Sequence, residues 1–254
     1  MIKPKAMFFD FDGTLLSTGK MPDSARKALF HAKEKGVLIF AATGRHKKEY
    51  EEMPWFPGLP FDGFVSMNGA YCYTPDKIIY KQPMNKAAIT AMINFTKEHD
   101  LYCLFCEAHE TYSNRADEEI AAGQIAHGLP VPPVRTPNLD AEIYQMVTFG
   151  RDIDHFIRNL PNVSVTSWLT NCYDIVPAGV NKWVGITPMI DAFGLKPAEI
   201  AAFGDGENDI EMLTGAGYAV AMGNGSDKVK AVSDYVTSHV DDDGILKAVK
   251  HILG

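Results

Sequence analysis

Three apolar segments of this sequence each end abruptly at a polar cluster. The segments are residues 6–9, 37–42 and 200–203, and the clusters that follow them are residues 10–14, 43–45 and 204–209. Continuous apolar runs of this length, bounded by turn residues, are typical of strands buried on both faces, as in a parallel sheet. Ligands of open α/β sheets bind outside the carboxyl ends of the strands. The three clusters are therefore expected to meet in one crevice.

The pattern between these segments predicts an α/β protein with a Rossmann-like parallel-sheet core. A helix over residues 23–35 would join the first two strands in a βαβ unit, and residues 61–81 show the alternation of short antiparallel strands. The middle of the chain alternates predicted helices (85–99, 117–127 and 152–160) with predicted strands (101–106, 144–149 and 163–168). None of these strands ends in a catalytic-looking cluster. We therefore predict a discontinuous core domain, residues 1–83 and 179–254, with a separate α/β domain inserted at 84–178.

Composition limits the classes of partner. The chain has 254 residues, 46% of them hydrophobic and 22% charged, and a net charge of −8. An acidic surface argues against nucleic acid or an anionic membrane as the main partner. No apolar run approaches the ~18 residues of a membrane helix, and the first run is too short for a secretory signal. These features predict a cytoplasmic protein with buried free cysteines, whereas the sequence does not indicate its oligomeric state.

Asp10 and Asp12 lie two residues apart at a predicted strand end. Successive side chains of a strand point to opposite faces, but a turn just after Asp10 would instead let both carboxylates reach the same space. One could act as nucleophile and metal ligand, and the other as general acid and base. The alternative is an exposed acidic turn. A calcium-binding EF-hand is excluded, because Leu15 and Met21 occupy the positions that require Gly and Glu.

The second cluster offers groups that suit a phosphate. Thr43 supplies a hydroxyl and Gly44 an approachable backbone N–H at a strand end. Arg45 adds a cation that could clamp a phosphate or the leaving group of a substrate. A Thr-Gly pair is also common in ordinary turns, and an arginine in this position could equally be a solvated surface residue.

The third cluster lacks the last glycine of a dinucleotide-binding fingerprint. Its spacing is better explained by metal binding, with Asp205 facing the cation and with Asn208 and Asp209 beginning the next helix. Asp209 could instead only stabilise that helix through its dipole. Acidic residues clustered beside Asp10 would repel one another without a divalent cation, and all-oxygen ligands favour Mg²⁺.

Lys182 is a candidate for balancing this negative charge. It lies where the core pattern resumes and opens a predicted helix directly after Asn181. A carboxylate-rich site that accepts a phosphate needs such a cation. Most lysines, however, are solvated surface residues.

Together these residues resemble the haloacid dehalogenase-like hydrolase superfamily and, within it, the Cof-like phosphatases with a large α/β cap domain. Residues 10–15 match its Asp-x-Asp-Gly-Thr-Leu motif, residues 43–45 its Thr-Gly-Arg, Lys182 its third-motif lysine, and residues 204–209 its Gly-Asp-x-x-Asn-Asp motif. Residues 66–70 are similar to an Asn-Gly-Ala loop of the same subgroup. The insertion lies where the cap of the family is expected, and the motifs span nearly the whole chain.

The resemblance implies two-step hydrolysis of a phosphate ester. Asp10 would attack phosphorus and form an aspartyl-phosphate while Asp12 protonates the leaving alcohol, and Asp12 would then activate water. Mg²⁺ would be bound by the carboxylates of Asp10 and Asp205 and the backbone carbonyl of Asp12, with Asp209 supporting the metal shell. The groups implied to hold the phosphoryl oxygens are Thr43, the Gly44 N–H, Lys182 and Asn208.

The leading hypothesis is a Mg²⁺-dependent phosphatase that acts on a small phosphorylated metabolite, with a sugar phosphate as the first guess. A phosphomutase of the same superfamily would use the same residues. A non-catalytic, regulatory phosphate-binding protein is the alternative from another class, although the intact Asp10 and Asp12 pair argues against it. A dehalogenase fits less well, because it needs no acid such as Asp12. The cap candidates for substrate contact, which could equally be ordinary loop residues, are Glu107, His109, Asn114 and Arg115.

Overall fold

The computed structural model describes residues 3–126, 129–169 and 171–254. The strands are β1 (Ala6–Phe9), β2 (Leu38–Ala42), β3 (Gly63–Ser66), β4 (Tyr71–Tyr73), β5 (Ile78–Lys81), β6 (Cys103–Cys106), β7 (Thr111–Ser113), β8 (Gln145–Phe149), β9 (Val163–Leu169), β10 (Cys172–Pro177), β11 (Ile200–Gly204), β12 (Tyr218–Ala221) and β13 (Tyr235–Val236). The α-helices are α1 (Asp23–Glu34), α2 (Lys48–Glu51), α3 (Lys86–Glu98), α4 (Glu118–Ala126), α5 (Asp154–Arg158), α6 (Lys182–Ala192), α7 (Ile210–Gly215), α8 (Asp227–Ala231) and α9 (Gly244–Leu253). Short 3₁₀ turns include Met67–Gly69 and Glu207–Asp209.

The first sheet has eight strands in the order β13-β12-β11-β1-β2-β3-β4-β5. The strands from β13 to β3 pair in parallel, and β4 and β5 are added antiparallel. The prediction of an α/β fold with a Rossmann-like parallel core is thus confirmed. Because β1 lies between β11 and β2, the loops that follow these three strands are neighbours at one edge of the sheet.

Helices cover both faces of this sheet, which explains why its strands are apolar throughout. Phe9 stacks on Phe203 on the face covered by α1 and α9, with ring centroids 4.4 Å apart. Phe8 stacks on Phe40 on the face covered by α6, α7 and α8, at 4.6 Å. Successive residues of a strand point to opposite faces, so each strand must be apolar at every position to be buried on both sides.

The second sheet has five strands in the order β7-β6-β8-β10-β9, all antiparallel. One of its faces packs on α3 and α5 through a separate apolar cluster that includes Phe105, Met146 and Ile175. On the opposite face, Val147 and Val176 belong to the apolar cluster of the first sheet. This second face therefore lies against the part of the molecule that carries the parallel strands.

Most predicted elements of the inserted region are present, but two strands were missed. The predicted helices and strands correspond to α3, β6, α4, β8, α5 and β9, with residue 127 of the predicted helix 117–127 outside the described residues. The missed strands are β7, which is only three residues long, and β10, whose apolar run is interrupted by Asp174. The predicted domain boundaries at 83/84 and 178/179 fall between the strands of the two sheets and stay a prediction.

Within the three described ranges, no helix is both long enough and apolar enough to cross a membrane.

Candidate active site

The polar clusters that follow β1 and β11 meet at the carboxyl edge of the parallel sheet. Carboxylate oxygens of Asp10, Asp205 and Asp209 all lie within 4.8 Å of one another. The backbone N–H of Asp10 donates to the carbonyl of Phe203 at 3.0 Å, so the pairing of the two strands continues up to the first carboxylate. The structure thus brings together side chains that are separated by almost 200 residues in the chain.

Lys182 lies at the centre of this cluster and is fully buried. Its Nζ donates to Oδ1 of Asp10 and to Oδ1 of Asp209, at 2.6 Å in each case. Its place is fixed by the start of α6, where Oδ1 of Asn181 accepts the N–H of Val184 at 3.0 Å as an N-cap. Burial is the largest influence and lowers the pKa of Lys182, but Asp10 and Asp209 together outweigh it and hold this pKa above its ordinary value. Lys182 is therefore a permanent cation in the site.

Asp209 uses both of its carboxylate oxygens inside the protein. Oδ1 accepts from Lys182, and Oδ2 accepts the backbone N–H groups of Asp205 and Gly206 at 2.9 Å each. These bonds hold the loop after β11 in the conformation that presents Asp205. Asp209 is thus arranged to support the lysine and the loop, and its implied place in the metal shell stays a prediction.

Asp205 is held from two further directions. The Thr14 hydroxyl donates to Oδ1 at 2.8 Å, and Asn224 Nδ2 donates to Oδ2 at 3.3 Å and to the Gly13 carbonyl at 2.7 Å. Gly13 has a φ of +77°, and a Cβ at this position would overlap the Asp205 carboxylate. Only glycine therefore allows the loop after β1 to approach the loop after β11 this closely.

Sequence analysis did not identify Asn224. A signal was nevertheless available, because β12 is a parallel strand of the same sheet and is followed by a polar, glycine-containing segment, residues 222–226. This is the pattern that marked the other three clusters.

The charges of this cluster fit a divalent cation. Three carboxylates and one ammonium carry a formal charge of −2, which a divalent ion would cancel. Burial raises the pKa of Asp10 well above its ordinary value, opposed by Lys182 and reinforced by Asp209 and Asp205. Burial and the nearby Asp209 likewise raise the pKa of Asp205 to about 7. Hard oxygen ligands of this kind suit Mg²⁺, and a bound cation would keep both groups ionised.

Asp12 and Arg45 form a two-pronged ion pair. Arg45 Nε lies 2.7 Å from Oδ2 and Arg45 Nη2 lies 2.6 Å from Oδ1, while Nη1 donates to the Glu49 carbonyl at 3.2 Å. The Asp12 side chain is 56% exposed and that of Arg45 only 10%. The guanidinium that was expected to contact substrate is thus bound to the predicted general acid.

The predicted phosphate-holding groups Gly44 and Asn208 lie around one buried side chain, Asn68. Asn208 Nδ2 donates to Asn68 Oδ1 at 3.0 Å, and a Cβ on Gly44 would lie 3.2 Å from the Asn68 amide. The Thr43 hydroxyl accepts the N–H of Arg45 at 3.1 Å and thereby shapes the turn after β2. The resemblance drew attention to the loop of Asn68 but gave this residue no role.

Two residues of the second sheet also reach this point, and sequence analysis missed both. Asp174 Oδ2 accepts from Asn68 Nδ2 at 2.8 Å, and Gln145 Nε2 donates to the Gly44 carbonyl at 3.1 Å. Neither follows the end of a strand, which was the signal used for the other clusters. Gln145 belongs to β8 and Asp174 to β10. Only the tertiary structure shows that these two strands face the loop after β2.

Two of the four loop residues proposed for substrate contact bind other parts of the protein in this structure. Asn114 bonds the backbone of Leu101 and Cys103, and Arg115 pairs with Asp100. The backbone carbonyl of Glu107 contacts Nε2 of the buried His46 at 2.7 Å. His109 is exposed.

Comparisons with known proteins agree with this fold. The model of the haloacid dehalogenase-like hydrolase family matches residues 7–249. YkrA of Bacillus subtilis, a protein named as a phosphatase, is 30% identical over 98% of this chain and 97% of its own. The pyridoxal phosphate phosphatase YbhA of Escherichia coli is 28% identical over 96% and 97%. The solved structure of BT4131, a subclass IIB sugar phosphatase, has a TM-score of 0.89 and 35% identity, covering 97% of this chain and 98% of that one.

A parallel sheet with a buried carboxylate–lysine cluster at its carboxyl edge, in a chain whose relatives are phosphatases, is that of a hydrolase of phosphate esters. The chain belongs to the haloacid dehalogenase-like hydrolase family. Within that family it is a phosphatase of the Cof-like branch.

Proposed function

We propose that the chain is a Mg²⁺-dependent phosphatase that hydrolyses small phosphorylated metabolites through an aspartyl-phosphate on Asp10. One observation carries this proposal: the Asp10 carboxylate is buried against Lys182 and lies within 4.8 Å of Asp205 and Asp209. A buried carboxylate held by a lysine beside a cation-binding cluster is arranged to attack a phosphorus atom.

The first step forms one bond and breaks one. An oxygen of Asp10 bonds to phosphorus, the P–O bond of the ester breaks, and Asp12 gives its proton to the leaving alkoxide. The half-exposed Asp12 side chain lies at the mouth of the site, where it can exchange protons with solvent. In the second step Asp12 takes a proton from water as the water oxygen attacks phosphorus, and Asp10 is released with inorganic phosphate.

The remaining polar groups would hold the phosphoryl oxygens. Lys182 supplies a fixed positive charge, and Asn208 supplies an amide N–H next to Asn68. Thr43 and the Gly44 N–H follow β2 at the same edge of the sheet. Pre-oriented donors of this kind stabilise charge on the transferred group.

Mg²⁺ would be held by the carboxylates of Asp10 and Asp205 and the backbone carbonyl of Asp12, and when bound it neutralises charge on the phosphoryl group. Asp209 would keep Asp205 and Lys182 in place. This assignment is supported by the formal charge of −2 in the cluster and by the bonds that occupy both oxygens of Asp209.

A small, hydroxyl-rich substrate such as a sugar phosphate is the proposed class. The second sheet contacts the loop after β2 directly, since Gln145 Nε2 lies 3.1 Å from the Gly44 carbonyl. The polar side chains of Gln145 and Asp174 would pair with hydroxyl groups, and the similar structure of BT4131 belongs to a sugar phosphatase. The cytoplasm is the proposed location, and four buried free cysteines support it.

The test is hydrolysis of p-nitrophenyl phosphate and a panel of phosphorylated sugars, with release of inorganic phosphate as the readout. Asp10→Asn should abolish hydrolysis and still unfold in one cooperative thermal transition, because Lys182 keeps its pair with Asp209. Asp140→Asn is the matched control, because its carboxylate is 92% exposed, and it should stay fully active. Activity retained by Asp10→Asn would exclude the covalent mechanism, and an isomerised sugar phosphate in place of free phosphate would indicate a mutase.

A further inference from the structure

Asn68 lies at the junction of three separate segments. Its Nδ2 contacts Asp174 Oδ2 at 2.8 Å and Gln145 Oε1 at 3.1 Å, both from the second sheet, and its Oδ1 accepts from Asn208 Nδ2 at 3.0 Å. Asn68 is 3% exposed. The segments that it joins are 77, 106 and 140 residues away in sequence.

The backbone around Asn68 adopts a rare conformation, and the Asn68 side chain is held by hydrogen bonds to its neighbours. Met67 and Asn68 have φ angles of +51° and +53°, in the left-handed region that non-glycine residues rarely adopt. A Cβ at the next residue, Gly69, would overlap the carbonyl of Asn181, at the start of the helix that carries Lys182. A strained, buried turn of this kind persists only where surrounding contacts hold it, and such turns are concentrated at functional sites.

The direction of the hydrogen bonds is fixed by chemistry. The Gly44 carbonyl only accepts hydrogen bonds, so Gln145 turns its Nε2 toward Gly44 and its Oε1 toward Asn68. The NH₂ end of the Asn68 amide must therefore face Gln145 and Asp174. The oxygen end of Asn68 must then face Asn208, which donates. The second sheet thereby sets the orientation of the Asn68 amide. Through Asn68 it also orients the Asn208 amide, which is proposed to hold the phosphoryl group. Gln145 adds a second link, because it contacts both Asn68 and the Gly44 carbonyl.

We propose that Asn68 is a positioning residue through which docking of the second sheet, by Asp174 and Gln145, orients the phosphate-holding groups of Asn208 and Gly44. This inference rests on the proposed function for the identity of those groups. It makes phosphate binding depend on the contact between the two sheets. A phosphate group would bind tightly only while the second sheet is docked.

The experiment is an exchange of the two side chains, with the affinity for inorganic phosphate measured by calorimetric titration in the presence of Mg²⁺. Asn68→Asp puts two carboxylates face to face and should weaken phosphate binding by about tenfold or more, as contacting residues in one network are strongly coupled. When Asp174→Asn is added to the same chain, the amide at position 174 can donate to one oxygen of the carboxylate at position 68. Asn208 can donate to the other oxygen. The double variant should recover part of the loss, because the bond to position 174 is restored while Gln145 Oε1 still faces an acceptor.

Two further variants keep the test decisive. Asn68→Gly tolerates the left-handed backbone and removes the side chain together with its amide, so it should fold and should also bind phosphate about tenfold more weakly. Lys48→Ala breaks a different contact between the two parts of the molecule, the 3.0 Å ion pair with Glu110. It should change phosphate affinity by less than about twofold, because this half-exposed pair is separate from the Asn68 network.

The inference is overturned if Asn68→Gly binds phosphate like the wild type, if the double variant binds as weakly as Asn68→Asp, or if the wild type binds no phosphate. Because binding is measured without turnover, the two proposals can fail separately. A wild type that binds phosphate and shows the rescue but hydrolyses no ester would contradict the proposed function alone. Normal hydrolysis without the rescue would contradict only the role of Asn68.

Discussion

Arg45 binds both carboxylate oxygens of Asp12, at 2.7 and 2.6 Å. The arginine is 9% exposed, so a buried planar cation fixes the orientation of a carboxylate that is itself largely in solvent. A guanidinium holds a carboxylate in one geometry far better than an ammonium does. Arg45 is thus placed to orient the proposed general acid, in addition to any contact with substrate.

Replacing Arg45 with Lys should lower kcat more than it raises KM. We expect a loss of about tenfold for an alkyl phosphate, because a general acid contributes 10²–10⁴-fold and would be only partly misplaced. The loss should be smaller for p-nitrophenyl phosphate, whose leaving group needs little protonation. Steady-state kinetics with both substrates provide the measurement. A rise in KM with unchanged kcat for both substrates would show instead that Arg45 mainly contacts substrate.

Lys182→Met should be strongly destabilising and inactive. The substitution leaves three neighbouring carboxylates without their internal cation, and breaking a buried ion pair commonly costs 3–5 kcal/mol. Lys228→Met is the matched control, since Lys228 pairs with Glu207 while its side chain is 71% exposed, and exposed pairs contribute about 0–1 kcal/mol. Urea unfolding of the two variants measures the difference. Equal unfolding free energies of the two variants would contradict the conclusion that Lys182 stabilises the buried carboxylates.

Magnesium should stabilise the folded protein. A ligand that binds only the folded state at 100 times its Kd adds about 2.7 kcal/mol to the free energy of unfolding. Asp205→Asn should reduce this gain, while in EDTA it should be no less stable than the wild type, because the carboxylate that it removes has a raised pKa. Thermal unfolding with MgCl₂, or with NaCl at equal ionic strength, makes the comparison. Identical magnesium responses of the two proteins would exclude Asp205 as a ligand.

His46 should make the fold sensitive to acid. It is fully buried, its Nδ1 accepts the N–H of Lys48 at 3.2 Å, and burial lowers its pKa from 6.5 to about 4. Between these two pH values the unfolded chain binds a proton that the folded chain does not. The free energy of unfolding therefore falls as the pH falls through this interval, by on the order of 3 kcal/mol.

This pH effect is measured as the change in unfolding free energy between pH 7.5 and pH 4.5. His46→Gln should reduce the change, because the residue no longer titrates. His155→Gln, at an exposed position, should behave like the wild type. If both substitutions leave the pH dependence unaltered, His46 is not the group responsible.

The part of the site that follows the ends of strands was predictable from the sequence. Asp10, Thr43 and Asp205 each end an apolar run, and parallel strands bring such ends to one edge. The partners of Asp205 were harder to predict, since Thr14 and Asn224 act through side-chain hydrogen bonds that no local pattern records. The partner of Arg45 was likewise not predictable, because Asp12 lies 33 residues away.

The sequence by itself determined the class of fold, the edge of the sheet where chemistry occurs and the acidic character of the site. These follow from hydrophobic periodicity and turn residues, which are local properties of the chain. Only the tertiary structure decided which side chains meet across the two sheets, as Asp174, Asn68 and Asn208 do. Such contacts depend on how one packed layer is placed on another, and a residue in mid-strand carries no local signal of the layer it will face.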